Sequence, residues 1–524
     1  MAKKRKGQER IGIVLTYVNI VINFLIGILY TPFMTATLGK AEYGLYSQIG
    51  ALINYMSVAD FGLHSTITRY VAKYRVNKDD EGQKLFLSDC LWFYLAVTVL
   101  LTIVGIILCS NIKIFINNNT SAELFEKAQI MSVLLVVNIS LSLPLGMYAS
   151  ILEGYGDFGI TNAIKIAAIV IRTGVLIGVL TMGAGSIGIV IVDTVFTILR
   201  PLIYALIARF RHKVKIRLFK FSWSRTKELL KFSVYIFILA LVNQFFWKLG
   251  QVALGKIVGT EASAEYGLSV QIISYIEPLT LAISGVFLPR ITRFAYGEKD
   301  SNEKINYLFK KIGKYQALLI TLVFIGFIFY GQQFVHLWVG DDYKNAYYLI
   351  TILIAAIWTQ SIMTVGTSTL KAIGKHKYQA FIYLGSALVN VGVGILFAHF
   401  YGAIGMAIGT LIAILFVQTP LMIVVFVKHA KLKMGAFYLN VFKSIALPVI
   451  GSSVFMYIAN YYVSINSWIK FFALVLISSI VYLILAFFFA LDSDERREMV
   501  RILTKPYFKL RKRTTEEMYE NSTD

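Results

Sequence analysis

Stretches of about twenty apolar residues recur along the whole of this 524-residue chain, and a run of that length matches the hydrocarbon thickness of a bilayer. Inside lipid every backbone N–H and C=O must be satisfied within the segment, so runs of this kind fold as helices. Fourteen are expected, from a first near 11–31 and a second near 43–68 to a last near 468–490. With 57% hydrophobic and 15% charged residues and a mean hydropathy of +0.67, the chain is no soluble globule. The expected fold class is an all-α integral membrane protein with 14 transmembrane helices. The connections are short, which argues against an extramembrane catalytic domain.

The segment Ala-Glu-Tyr-Gly-Leu occurs at Ala41–Leu45 and again at Ala264–Leu268, 223 residues later, and Gln48-Ile49 and Gln271-Ile272 keep the register. Leu152-Glu-Gly-Tyr-Gly156 answers Leu370-Lys-Ala-Ile-Gly374, and Gly185-Ser-Ile-Gly188 answers Gly402-Ala-Ile-Gly405. Pro201-Leu202 matches Pro420-Leu421. Equivalent spans differ by six, an even number, so both copies run the same way through the membrane. This predicts two six-helix bundles in a parallel pseudo-two-fold repeat, with two extra C-terminal helices. The expected divisions are an N-terminal bundle over 1–208, a basic linker over 209–231, a C-terminal bundle over 232–430, an additional helix pair over 431–490 and a tail over 491–524. A duplicated bundle of this kind implies transport, with the path between the halves.

The net charge of +22 suggests nucleic acid until its distribution is read. With the N-terminus placed in the cytoplasm, 42 of the 51 Lys and Arg residues fall on cytoplasmic segments. The outer loops hold only Lys40, Lys113, Lys127, Lys256 and Lys344. That is the positive-inside pattern; it puts both termini in the cytoplasm. Anionic membrane lipids, not nucleic acid, are the expected contacts of the basic excess. The linker also carries Phe219, Phe221 and Trp223, and reads equally as a solvated loop or as an interfacial strip. The basic, then apolar N-terminus lacks a small-residue cleavage site and is expected to stay as the first span.

Ionisable groups inside hydrocarbon are costly and mark functional candidates. Counted from the estimated inner ends, Asp60, Arg172 and Arg200 share one depth, roughly 13 Å in. Two arginines and one aspartate leave a net positive belt, suited to a phosphate or pyrophosphate, unless they form an internal cluster with no ligand. Asp193, Lys248 and Glu277 form a second level, roughly 20–24 Å deep. There Lys248 and Glu277 are expected to be close enough to pair, and Asp193 shares a helix face with Arg200. His64 is either a titrating group or simply hydrogen-bonded. No metal-ligand cluster, phosphate loop or nucleophile elbow is found in the sequence, so no cofactor is expected.

Tyr30-Thr-Pro-Phe-Met-Thr-Ala-Thr-Leu-Gly39, Glu42-Tyr-Gly-Leu-Tyr46, Asp60-Phe-Gly-Leu63 and Arg69-Tyr-Val-Ala72 together resemble the start of bacterial polysaccharide flippases. These are the Wzx-like, O-antigen branch of the multidrug/oligosaccharidyl-lipid/polysaccharide (MOP) exporter superfamily. The resemblance implies a non-enzymatic transporter of the bacterial plasma membrane. Its substrate would be a lipid-linked oligosaccharide on undecaprenyl pyrophosphate, flipped to the outer leaflet by alternating access. Polysaccharide polymerase and glycosyltransferases are the protein partners it implies. Net direction would come from H+ or Na+ coupling or from consumption of the product outside; the sequence does not choose. A cation-coupled drug exporter is the nearest alternative, disfavoured because the first span offers only Asn19 and Asn23 in place of an acid. A lipid II flippase is another. A polymerase or ligase lacks the large outer loop it would need.

Overall fold

A computed structural model of the protein describes residues 2–57, 60, 62–214, 216, 221–285, 294 and 301–499. Several residues of the charge pattern lie outside the described residues: Lys215, Arg217 and Lys220 of the linker, Arg290, Arg293 and Lys299, and the tail from 500 onward. Every regular element among the described residues is a helix. Ten of the described helices are long and apolar enough to cross a membrane.

The expected stretches and the helices do not correspond one to one. Helix α1 (Ala2–Ser57) covers the first and most of the second stretch without an intervening loop. Its only break is Gly39, at φ 73° and ψ 165°, a backbone region essentially closed to other residues. The second stretch then continues, past Gly62 at φ 68°, into the short α2 (Leu63–Asn77). Helices α3 (Asp80–Ser110), α4 (Ala122–Gly154), α5 (Phe158–Thr181) and α6 (Gly185–Arg211) follow. Asp79 caps α3 by accepting from the Gly82 amide at 2.7 Å, and Ser121 caps α4 from Leu124, satisfying amides that a helix start leaves open. Helices α7 (Trp223–Ile257) and α8 (Thr260–Gly285) cover the seventh and eighth stretches.

Helices α9 (Ser301–Val339), α10 (Asn345–Ile362) and α11 (Thr364–Ala372) come next. Helix α12 (His376–Ile412) is broken at Gly402, φ 58° and ψ −135°, and runs through a π-turn over Ala413–Gln418 into α13 (Thr419–Ala430). It thus joins two expected stretches, as α1 does. Helices α14 (Met434–Tyr462) and α15 (Trp468–Phe489) end the described chain.

Matched positions of the sequence repeat share backbone conformation. Gly185 and Gly402 have φ of 59° and 58°, and Gly156 and Gly374 have φ of 87° and 69°. Each pair turns the chain at the same point of its copy.

The chain forms two compact units. The first holds residues 1–277, 338–359 and 374–425. Its core is built on Leu45 and Ile49 of α1, Ile67 and Val71 of α2, Phe86 and Tyr94 of α3, and Met131 and Ile151 of α4, all buried. Leu29, Ile106, Phe381 and Phe416 stay exposed, as befits a surface facing acyl chains, where helices associate by close packing and not by hiding from water. The second unit holds 278–337, 360–373 and 426–524. There Tyr330 Oη and Ser478 Oγ lie 2.8 Å apart, Tyr482 Oη donates to the Leu318 carbonyl at 2.9 Å, and Phe309 stacks on Phe437 at 4.1 Å. Lys314 forms a buried ion pair with Glu495, which anchors the segment after α15 on α9.

Candidate functional site

A cavity of about 490 Å³ lies in the first unit between α1, α7 and α8, within the range of about 300–1,000 Å³ typical of ligand pockets. From α1 come Met34, Tyr43, Tyr46, Ser47, Gly50 and Ala51. Helix α7 adds Asn243, Gln244, Trp247, Lys248 and Gln251. Helix α8 adds Gly267, Val270, Gln271, Ile273, Ser274 and Glu277. The α7 residues recur every three to four positions, so one face of an otherwise apolar helix is polar. The wall is therefore mainly carboxamides, hydroxyls and aromatic rings, with one cation and one anion.

Lys248 and Glu277 share this cavity. The pairing expected of them is not made: Lys248 has no ion pair among the described residues. Its ammonium is therefore available to an anionic group entering the cavity. The amides on the opposite walls are partly engaged. Gln271 Nε2 donates to Thr31 Oγ1 at 3.0 Å and to Tyr275 Oη at 2.9 Å, and Gln251 Nε2 donates to Ser47 Oγ. The bonds to Thr31 and Ser47 hold α8 and α7 to α1.

The other four candidates lie outside the cavity lining. Arg172 donates through Nε and Nη2 to Asp193 Oδ1, both at 2.6 Å. The expected level of Arg172 beside Asp60 and Arg200 needs correction. Helix α5 starts at Phe158, ahead of the inner end from which the shared depth was counted, and each residue adds about 1.5 Å. Arg172 is thereby carried along to the level of Asp193 on the neighbouring α6. Asp60 accepts from Tyr94 Oη at 2.7 Å and from the His64 amide at 3.3 Å. Arg200 is half-buried beside Tyr204 and is not brought to Asp193, Arg172 or Asp60. Depth along a helix sets a level but not a direction around the axis, and the belt needed both.

His64 sits in a hydrogen-bonded cluster. Its Nε2 is 3.0 Å from Glu153 Oε2 and its Nδ1 2.6 Å from Ser150 Oγ. Lys165 Nζ donates to Glu153 Oε1 at 3.2 Å.

A second pocket of about 570 Å³ is lined by Lys40, Asn117, Gly259, Glu265, Asn345 and Gly402 among others. Beside it, Tyr343 is buried. Burial, with Asp342 and Glu265 nearby, pushes its phenol above the ordinary tyrosine range, so it stays neutral at physiological pH.

Sequence reasoning weighed charged residues and passed over the uncharged polar stripe Asn243, Gln244 and Gln251 and the rings Tyr43, Tyr46 and Trp247. The readable signal was the helical spacing of amides around Lys248 in an apolar span.

Comparison with known proteins places this geometry. A putative O-antigen transporter of Shigella flexneri is 22% identical over 391 residues, covering 73% of this chain and 90% of that protein. The solved structure of the lipid II flippase MurJ in an inward closed conformation superposes with a TM-score of 0.68 at 18% identity, covering 94% of this chain and 99% of that one. An inward-facing multidrug resistance MATE family transporter of the MOP superfamily gives 0.64 at 17% identity, covering 80% and 95%. These two likenesses establish the fold. The family model described as polysaccharide biosynthesis protein matches residues 11–295, more than half of the chain, and the protein therefore belongs to that family.

Proposed function

We propose that the protein is a flippase that carries a lipid-linked oligosaccharide, held on undecaprenyl pyrophosphate, from the cytoplasmic to the outer leaflet of a bacterial plasma membrane. The observation that carries this reading is the cavity between α1 of the first repeat and α7 and α8 of the second, with Lys248 on its wall and without an ion pair among the described residues. A sugar head cannot cross hydrocarbon without a heavy desolvation cost. Amides and hydroxyls in the cavity replace its water, aromatic rings pack on its apolar faces, and Lys248 meets a phosphate oxygen. The polyprenyl tail stays in lipid.

The charge pattern supports cytoplasmic termini, with the basic linker 209–231 and tail 491–524 inside. The repeat supports two six-helix bundles, 1–208 and 232–430, that rock about the cavity, with 431–490 appended. In this reading Glu277 orients the head group, and the Arg172–Asp193 pair and Asp60 brace the first bundle. Arg200 remains a candidate contact for the substrate on its way in.

Lys248 gives the test. In a host deprived of its own polysaccharide flippase and supplied with the matching sugar pathway, the wild-type protein restores surface polysaccharide. Loss of a charge-assisted hydrogen bond is worth roughly 1.5–3 kcal/mol. Lys248→Ala is therefore expected to slow export at least about tenfold at unchanged membrane abundance, and Lys248→Arg to retain much of it. Wild-type export by the alanine variant would remove Lys248 from the substrate site.

A further inference from the structure

The duplicated Ala-Glu-Tyr-Gly-Leu segments meet each other across the first unit. A Cβ on Gly44 of the first copy would lie 1.9 Å from the carbonyl oxygen of Thr260, at the start of α8. One on Gly267 of the second copy would lie 2.6 Å from Ser47 Oγ of α1. Gly44 thus admits backbone of the other repeat, and Gly267 admits the Ser47 side chain. Around them Tyr43, Leu45, Tyr266 and Leu268 are buried. Gln48 Nε2 reaches the Phe115 carbonyl at 2.6 Å and the Val252 carbonyl at 3.4 Å. Lys256 Nζ donates to the Ile116 carbonyl at 2.8 Å. This layer contributes Tyr43, Ser47, Gln251 and Gly267 to the lining of the 490 Å³ cavity and Ala41, Thr260 and Glu265 to that of the 570 Å³ pocket.

The two glutamates of the repeat are not used alike. Glu42 is satisfied within its own bundle: Lys127 Nζ and the Ser186 amide donate to it, each at 2.7 Å. At the 218-residue spacing that relates Leu152 to Leu370, Lys127 falls on Asn345. Asn345 gives Glu265 only a neutral donor, at 3.2 Å. The missing cation comes from the other bundle. Lys40 Nζ lies 2.8 Å from Glu265 Oε1, 2.7 Å from the Asp342 carbonyl and 5.5 Å from the centre of the Tyr343 ring. Where the first repeat has Lys127 the second has Asn345, and Glu265 takes its cation from the other bundle.

We propose that the crossed Ala-Glu-Tyr-Gly-Leu segments are the outer gate of the transport path, and that Lys40–Glu265 is its latch. This rests on the flippase reading and on the positive-inside orientation, which puts Lys40 and Lys256 on the outer side. For release, Lys40 must leave Glu265, and Ser47 must leave Gln251, so that the cavity joins the outer pocket.

The gate is tested without substrate. In a Cys90→Ala, Cys109→Ala background, Ser274→Cys places a thiol on the cavity wall, and a membrane-impermeant maleimide is added from outside. Labelling is expected to be slow with the gate intact. Lys40→Ala removes the latch. Asn345→Lys restores the missing cation within the bundle and frees Lys40 while leaving every latch residue in place. Each is expected to speed labelling about fivefold, the shift that an ion pair near the upper end of its usual worth gives an opening equilibrium. Labelling unchanged in both variants overturns the proposal. A second arm oxidises Ser47→Cys with Gln251→Cys. The disulfide is expected to abolish export, with recovery on reduction; export at full rate through the cross-linked protein also overturns it. The labelling arm reads the gate even if the transported molecule proves not to be a lipid-linked sugar, so the two readings fail separately.

Discussion

Arg172 and Asp193 show how a charge inside a membrane protein is decided by its nearest partner and not by its depth. Each was legible as a functional candidate because an ionisable group in an apolar span is costly. What the sequence did not carry was the direction each faces around its helix or the true start of α5. The bidentate contact at 2.6 Å makes the pair a brace between α5 and α6. Arg172→Met leaves Asp193 without its donor, a loss of about 1–3 kcal/mol. Asp193→Asn added to that variant is expected to return most of it. Thermal unfolding in detergent measures both. If Arg172→Met retains full stability but export fails, the arginine serves substrate and not the fold. Lys248 is the contrasting residue, charged, on a cavity wall and without an ion pair among the described residues.

Among the elements, the apolar runs were read correctly as helices, and their breaks were not. Gly39 and Gly402 interrupt α1 and α12 without any polar loop, so hydropathy alone has little to mark them. The signal was conformational: a glycine at the junction, matched in the repeat by Gly185 for Gly402. Gly39→Ala forces a side chain into backbone space open essentially to glycine, at a cost of about 1–3 kcal/mol. Gly174→Ala, in open space within α5, is the control. It is expected to be neutral or to gain up to about 1 kcal/mol, since alanine favours helix. Equal stability losses for the two, by thermal unfolding, would mean that the Gly39 break is not a constraint of the fold. The polar stripe on α7 was equally open to reading, since Asn243, Gln244, Lys248 and Gln251 keep helical spacing. It was missed because uncharged amides carry a weaker penalty in lipid than charges do.

For the whole molecule, the order and spacing of degenerate motifs carried more than any one of them. Four matches in the same order pointed to a duplicated chain, and the resemblance to a polysaccharide family rested on the same kind of ordered short motifs, which the family model over residues 11–295 bears out. The sequence could not show that Gly44 packs against Thr260 and Ala264, because contact between residues so far apart leaves no mark in a single chain. The most direct test is reconstitution of the purified protein into liposomes loaded with a fluorescent oligosaccharide on undecaprenyl pyrophosphate. A membrane-impermeant quencher is then added outside. The protein is expected to bring label from the inner leaflet within reach of the quencher, and Lys248→Ala to do so far more slowly. Inner-leaflet label that stays protected, with correctly inserted wild-type protein in the bilayer, would contradict the account.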